Sequence, residues 1–263
     1  MSDTLLTFVH ISDTHVHHDP TYLSAHYPLP VTSGTVALLQ QLKNLPFQPD
    51  FILHTGDVIY NLDPESYVAA RDLLAQLPYP VVYVAGNHDD SAALQRILLG
   101  REETRSPFYY TQEINGVQIA VLDSNGPVEP PRGFIIREQL EWLEQLCAAP
   151  DDRPLVVAVH HNALPVGVPW LDEYTRMTNG EDFHRALLPA RARLRGVFFG
   201  HVHQNLTMYR DGILYSSVRS SWVQFHAWPG LAETRVDVGS EPGFNVVSVT
   251  RDQTYIRHYR FAV

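Results

Sequence analysis

The sequence predicts an α/β chain in which two β-sheets pack together and carry helices on their outer faces. Three observations point there. In the first half, short apolar runs alternate with segments of helical period, which implies parallel strands joined by crossover helices. Further on, Asn115-Gly116 and Asp211-Gly212 each separate two strand-like runs, the pattern of a tight hairpin. The composition is that of a folded chain: 44% of the 263 residues are hydrophobic and 18% are charged, enough to build a core without covalent staples.

The elements follow in order. Residues 5–11 are a β-branched and aromatic run readable as a buried strand. Residues 31–45 place Val36, Leu38, Leu39, Leu42 and Leu45 at helical spacing. A strand over 50–54, a helix over 64–77 and a strand over 81–85 come next, the last preceded by Pro78 and Pro80. Asp90 or Ser91 suits the N-cap of a helix running to Leu99. Strands over 109–114 and 117–122 flank Asn115-Gly116, and an amphipathic helix spans 135–146. Buried strands at 155–159 and 197–199 lead to a hairpin of 206–209 with 213–216. A last pair, 244–249 and 255–261, turns around Arg251-Asp252. No repeat, low-complexity tract or linker interrupts the chain, so 1–263 is expected to be a single domain.

Charge and cysteine content narrow the function. Lys plus Arg total 19 and Asp plus Glu total 29, a net charge of −10, which leaves no electrostatic footprint for duplex nucleic acid. A small anionic substrate remains compatible, because a bound metal ion dominates the field around it. The lone Cys147 excludes an internal disulfide and points to the cytoplasm. The first nine residues lack a basic stretch and run into His10, so no signal peptide is expected. Without an apolar run of about 18 residues, no membrane-spanning helix is expected either.

The unusual count is histidine, 14 in all. In α/β proteins functional side chains gather beyond the carboxyl ends of the strands, and five strand ends here carry Asp, Asn or His. They are Asp13-Thr14-His15, Gly56-Asp57, Gly86-Asn87-His88-Asp89, His160-His161 and Gly200-His201-Val202-His203. Taken alone, Asp13-Thr14-His15, Gly56-Asp57 and His160-His161 read as ordinary turns, caps or core histidines, whereas Gly86-Asn87-His88-Asp89 and Gly200-His201-Val202-His203 are already unusual; the joint placement of all five at one sheet edge is not ordinary. Mixed imidazole and carboxylate donors suit Mn, Fe or Zn better than the all-oxygen shells of Mg or Ca. Seven donors exceed one tetrahedral zinc and suit two ions sharing a bridging carboxylate. Such a pair, about 3.5–4 Å apart, clamps the attacking and leaving oxygens of an in-line displacement at phosphorus. Gly56, Gly86 and Gly200 are expected to let the chain turn sharply beside this centre.

In this order the blocks resemble the calcineurin-like metallophosphoesterase superfamily, with its signature D-x-H, G-D, G-N-H-D/E, H and G-H-x-H. The resemblance runs from Asp13 to His203, most of the chain. It implies a four-layer αββα sandwich of two mixed β-sheets flanked by helices. By matching position it implies that Asp13, His15, Asp57 and His203 hold one metal. Asp57, Asn87, His160 and His201 would hold the second, with Asp57 bridging. The family ligand is the first histidine of the paired block, which favours His160 over His161. His88 matches the histidine that contacts phosphate and is a candidate proton donor to the leaving group. The implied cofactors are two divalent or trivalent ions (Mn2+, Fe2+/Fe3+ or Zn2+), and the implied nucleophile is a metal-bridging hydroxide.

A narrower resemblance is to the bacterial class III cyclic nucleotide phosphodiesterases. Its residues are Leu122-Asp123-Ser124-Asn125, Gly133, Gln139-Leu140-Glu141-Trp142-Leu143, Leu164-Pro165 after the paired histidines, Trp170-Leu171-Asp172, Asn179, and Ser220-Ser221-Trp222-Val223-Gln224-Phe225. That group includes enzymes of 3′,5′-cyclic AMP and broader glycerophosphodiesterases. Two departures concern substrate: Asn162-Ala163 replace the common Pro-Pro, and Tyr60 replaces the common Asp or Asn after Asp57. Protein phosphatases need Asp-Arg-Gly at that point, so its absence argues against them. The expected function is therefore a metal-dependent phosphodiesterase of cyclic nucleotides or small diesters. The alternative is a phosphomonoesterase or nucleotide-pyrophosphate hydrolase on the same site, and a non-enzymatic scaffold is a third reading. A small phosphodiester is the expected partner, with neither duplex nucleic acid nor membrane.

Around these blocks, His17, His18 and His26 read as solvated loop histidines, His17 being close enough in sequence to reach the site. His54 reads as a core or supporting histidine, and His184, His226 and His258 carry no assignment. Tyr22, Tyr27, Trp170, Trp222 and Phe225 are candidates for stacking on a base. Trp228, Pro229 and Leu231 are candidates for an interface in a homo-oligomer.

Overall fold

The computed structural model describes residues 3–25 and 27–263; Met1 and Ser2 of the expected leader-free start, and the loop residue His26, lie outside them. The strands are β1 (Thr4–Ile11), β2 (Phe51–His54), β3 (Val81–Tyr83), β4 (Tyr110–Ile114), β5 (Val117–Val121) and β6 (Leu155–Ala158). They continue as β7 (Leu194–Phe199), β8 (Thr207–Arg210), β9 (Ile213–Ser217), β10 (Gly243–Thr250) and β11 (Thr254–Arg260). The helices are α1 (Ser33–Lys43), α2 (Pro64–Leu74), α3 (Ser91–Leu98), α4 (Arg137–Ala148), α5 (Pro169–Tyr174) and α6 (Gly180–Leu187).

Two mixed sheets form, in the orders β11-β10-β1-β2-β3 and β4-β5-β6-β7-β9-β8. In the first, β1, β2 and β3 are parallel, and the β10–β11 hairpin adds antiparallel to β1. In the second, β5, β6, β7 and β9 are parallel, with β4 and β8 added antiparallel at the two edges. The strands of the parallel centre are apolar on both faces because both faces are covered. Leu6 and Phe8 of β1 point between the sheets, whereas Val9 and Ile11 point to the helices. Between the sheets, Phe8 stacks on Phe51 at 5.0 Å and meets the edge of Phe198 at 5.2 Å. Leu38 and Leu42 of α1, Tyr67 and Ala70 of α2 and Leu94 of α3 cover the first sheet. Leu143 of α4 and Phe183 and Leu187 of α6 cover the second. The αββα sandwich is the fold that the sequence implies.

Capping residues set where the helices begin. Asp63 accepts the Ser66 N–H at 2.6 Å with Pro64 at the first helical position of α2. At α3 the cap is Asp90, accepting from Ala93 at 2.7 Å; Ser91 instead turns inward to Asp123. Two helices, α5 and α6, carried no expectation from sequence. They are short, and α6 buries His184, whose ring bonds the Tyr215 hydroxyl at 2.7 Å and Asp211 at 3.0 Å, so a polar residue occupies its core face. Strand β7 starts at Leu194, three residues earlier than the apolar run indicates. Among the described residues, no helix is long and apolar enough to cross a membrane.

Candidate metal centre and active site

The loops after β1, β2, β3, β6 and β7 converge on one cleft, and all five polar blocks meet there. Asp13, His15 and His203 come close enough for one atom from each to share an ion; so do Asp13, Asp57 and His160; so do His15, Asp57 and His88. Asp57 belongs to two of these groups. Asp13, His15, Asp57, His160, His201 and His203 are all buried, and Asn87 and His88 are partly buried at the cleft floor.

The backbone there is unusual. Among the described residues, seven non-glycine residues have positive φ, and five of them are Asp13, His15, Asp57, His201 and His203, at 45–68°. The other two, Asn115 and Asp211, are the hairpin turns. Left-handed backbone at a side chain with a Cβ is disfavoured, and clusters of it mark functional sites. Gly56 also requires it, at φ 102°. Gly86 and Gly200, expected to serve sharp turns, do not have positive φ. Their reason is close approach: a Cβ on Gly86 would lie 2.2 Å from Asp57 Oδ1, and one on Gly200 would lie 1.9 Å from Ser12 Oγ.

Hydrogen bonds fix which nitrogen each imidazole presents. His160 Nδ1 donates to the Thr55 carbonyl at 2.7 Å, and His203 Nδ1 to the Val223 carbonyl at 2.7 Å. His201 does the reverse, donating Nε2 to the Thr175 carbonyl at 3.1 Å. A carbonyl only accepts, so in each neutral ring the remaining nitrogen carries a lone pair. These lone pairs face other acceptors. His160 Nε2 lies 3.4 Å from Asp57 Oδ1, 3.1 Å from Asn87 Oδ1 and 3.2 Å from His201 Nδ1. His203 Nε2 lies 3.3 Å from Asp13 Oδ1 and 3.3 Å from His15 Nε2. Acceptors turned toward acceptors repel unless cations lie between them, so this donor set fits a pair of metal ions.

Electrostatics agree. Burial, with His88 nearby, holds His15 well below the ordinary imidazole value; burial and His160 hold His201 down at about 3. Both rings are therefore unprotonated, as a metal ligand must be. Burial opposes ionisation of Asp13, but His203 and His160 outweigh it and hold the carboxyl below its usual range. Asp57 is held down in the same way by His160 and His88. His160 is the exception: burial disfavours its charge, yet Asp57 beside it raises the ring to about 9, so a proton occupies the position in a metal-free chain.

His160, not His161, faces Asp57 and Asn87. His161 bonds Ser124 Oγ through Nδ1 at 2.6 Å, and it groups with His160 and His201 closely enough for one atom from each to share an ion. His88 donates its backbone N–H to Asp57 Oδ1 at 2.9 Å and its Nδ1–H to the Tyr60 carbonyl at 2.8 Å, leaving Nε2 for the cleft.

Residues 6–205 match the calcineurin-like phosphoesterase family. The chain belongs to that family. This calcineurin-like phosphoesterase is 30% identical over 256 residues to a cAMP/cGMP dual specificity phosphodiesterase of Mycobacterium tuberculosis (strain CDC 1551 / Oshkosh), covering 93% of this chain and 76% of that protein. It is 30% identical over 219 residues to the glycerophosphodiester phosphodiesterase GpdQ of Enterobacter lignolyticus (strain SCF1), covering 80% and 75%. A dimetal phosphatase from Danio rerio superposes with a TM-score of 0.62 at 14% identity, covering 97% of this chain and 99% of that one, a likeness of fold alone.

The phosphoesterase cleft has further walls that sequence reading found unevenly. Trp170, Trp222 and Phe225 line it as stacking candidates should, whereas Tyr22 and Tyr27 pack beside Val31 and Val223. Pro131, Tyr174, Thr175 and Thr234 line it without a signal in the sequence. His17 is not solvated: it is buried and stacks on Tyr22 at 4.0 Å. His18 is half exposed and pairs with Asp63 at 3.3 Å. His54 supports the first block, bonding Thr14 Oγ1 at 2.9 Å. Asp89 has a part that the motif alone did not assign. It accepts N–H groups from Gly86 at 2.9 Å and Val58 at 3.2 Å, tying the Asp57 loop to the Asn87 turn.

Proposed function

We propose that the chain is a dinuclear-metal phosphodiesterase acting on 3′,5′-cyclic nucleotides such as cyclic AMP, or on small phosphodiesters. The observation that carries this reading is the lining of the cleft. Around the metal-site residues its 310 Å³ are walled by Trp170, Tyr174, Trp222, Phe225 and Pro131, and among the described residues neither Lys nor Arg lines it. A monoester or pyrophosphate presents two or more charges that such enzymes meet with fixed cations. A diester carries one charge and two organic substituents, which suit an apolar, aromatic wall. The similarity to a cAMP/cGMP phosphodiesterase and a glycerophosphodiester phosphodiesterase supports the same class.

In this reading Asp13, His15, Asp57 and His203 hold one ion and Asp57, Asn87, His160 and His201 the other, as Mn, Fe or Zn. When bound, such a pair lowers the pKa of a coordinated water towards about 7 and offsets charge on the phosphate oxygens. The carbonyls of Thr55, Thr175 and Val223 orient the imidazoles, so the site is organised before substrate arrives. With Nδ1–H held by the Tyr60 carbonyl, His88 would deliver a proton to the departing ester oxygen from Nε2 in its doubly protonated form, and return to the neutral ring. The aromatic walls hold the organic groups and exclude bulk water. We further propose that residues 1–263 act as one domain and that the enzyme works in the cytoplasm, which the lone, buried Cys147 supports.

The test is phosphorus NMR of Mn2+-loaded protein, quenched with chelator, given equal amounts of 3′,5′-cyclic AMP, a glycerophosphodiester and a simple phosphomonoester. Conversion of a diester signal to a persisting monoester signal is expected, and the diester consumed first names the preferred substrate. Consumption of the monoester alone would transfer the site to the phosphomonoesterase alternative.

A further inference from the structure

A second cleft, of 380 Å³, shares no lining residue with the metal cleft. Its distinguishing feature is Arg219, a guanidinium with 8% of its surface exposed. Its side-chain hydrogen bond runs from Nη1 to the Glu241 carbonyl at 2.8 Å, not to a carboxylate. Arg260 lines the same cleft, and among the described residues neither arginine forms an ion pair. The carboxylate in the lining, Asp237, is already engaged by His226 at 3.5 Å and by Ser240 Oγ at 2.7 Å. Burial and the charge of Arg260 push the Arg219 guanidinium below its usual value, against a weaker upward pull from Asp237 and Glu241. Two neighbouring guanidiniums, one buried and neither in an ion pair with the carboxylates near them, favour an anion that joins them. In a chain with net charge −10 they form a local cationic exception.

The ligand chemistry follows from the groups. Paired guanidinium forks match the oxygens of a phosphate bidentately. At the mouth Trp228 is 67% exposed and stacks on His226 at 6.3 Å and 25°, offering a flat face to a planar ring. We propose that this cleft binds a phosphomonoester dianion carrying a planar ring, of the nucleoside 5′-monophosphate class. The choice of a nucleotide rests on the phosphodiesterase reading, since hydrolysis of a cyclic nucleotide yields that class; the anion chemistry does not. The two clefts lie back to back along one segment, in which Phe225 faces the metal site and the next residue, His226, faces this one.

Calorimetric titration of zinc-loaded protein with AMP tests the proposal. Wild type should bind AMP at this cleft as well as at any metal-centre site, inorganic phosphate should compete, and adenosine should not bind. Arg219→Gln and Arg260→Gln should each weaken that event about 10- to 100-fold, the loss of a charge-assisted bidentate contact. Diester turnover by Arg260→Gln without AMP should be unchanged. AMP affinity and stoichiometry identical in Arg260→Gln and wild type would overturn the proposal, as would loss of all AMP binding in Asp57→Asn alone. Arg260 is exposed, so its variant decides even where Arg219→Gln fails to fold. Arginine-dependent AMP binding without turnover of any diester would leave this site standing and remove the phosphodiesterase reading.

Discussion

Left-handed backbone at Asp13, His15, Asp57, His201 and His203 is disfavoured by on the order of 1–3 kcal/mol per residue. It persists because neighbouring loops hold it: Asp13 N–H bonds the Gly56 carbonyl at 2.9 Å and His15 N–H the Asp57 carbonyl at 3.0 Å. The two loops thus lock each other, with Asp57 at the junction of the acceptor groups. From this the roles of Asp57 and His88 separate. Asp57→Asn should lower metal affinity by about 100-fold or more, since changes one shell further out already cost 10- to 100-fold. His88→Ala should keep its metal content and lose about 10²- to 10⁴-fold in kcat. Elemental analysis beside steady-state kinetics checks both, and full turnover by His88→Ala would remove it from the proton-transfer role. The polar blocks were legible at this scale because Asp, His and Asn at strand ends carry chemistry in their residue type. The carbonyls of Thr55, Tyr60, Thr175 and Val223 that orient four imidazoles were not, since every residue has a carbonyl.

Legibility of the elements followed the strength of their periodicity. The buried parallel strands and α1 to α4 stand out because one or both faces are continuously apolar, and Asn115-Gly116 and Asp211-Gly212 mark their hairpins by side chains that tolerate positive φ. Helices α5 and α6 escaped because they are one to two turns long and α6 turns His184 inward. The loop glycines were legible as residues but not as to cause. Gly200 closes β7 against the first polar block, where Ser12 Oγ and Asp13 Oδ2 would lie 1.9 and 2.8 Å from an added Cβ. His201 N–H also reaches Asp13 Oδ2 at 3.0 Å, so the two sheets meet through this turn. Gly200→Ala must therefore push the β7 turn away from β1, destabilising the fold by about 1–3 kcal/mol. Because that displacement separates Asp13 from His203, metal content should fall with it. Urea unfolding together with metal analysis checks the pairing of effects; lost stability with full metal content would place the strain elsewhere.

At the scale of the molecule, stacking two sheets leaves a middle layer that water does not reach, and β1 carries His10 into it. The ring lies edge-on to Phe198 at 5.5 Å, Nε2 meets Thr55 Oγ1 at 2.9 Å, and Nδ1 is buried without a partner. Burial lowers its value to about 3, against a weaker upward pull from Asp13. The ring is therefore neutral in the folded chain and ionises near 6.5 once unfolded. For a base depressed on folding, the unfolded state binds the extra proton, so stability is whole above 6.5 and drains away as pH falls towards 3. One proton amounts to about 1.4 kcal/mol per pH unit in that window. His10→Gln keeps a polar group opposite Thr55 but does not titrate. Its stability relative to wild type should shift by a constant above pH 7, then gain about 1.4 kcal/mol on wild type for each unit below 6.5. Urea unfolding of metal-free protein at pH 7.5, 6.5, 5.5 and 4.5 measures that difference directly, with metal loss in acid removed as a cause. A difference that stays flat across the four values would mean that the middle layer admits enough water to charge His10, and that the two sheets part there before the chain unfolds.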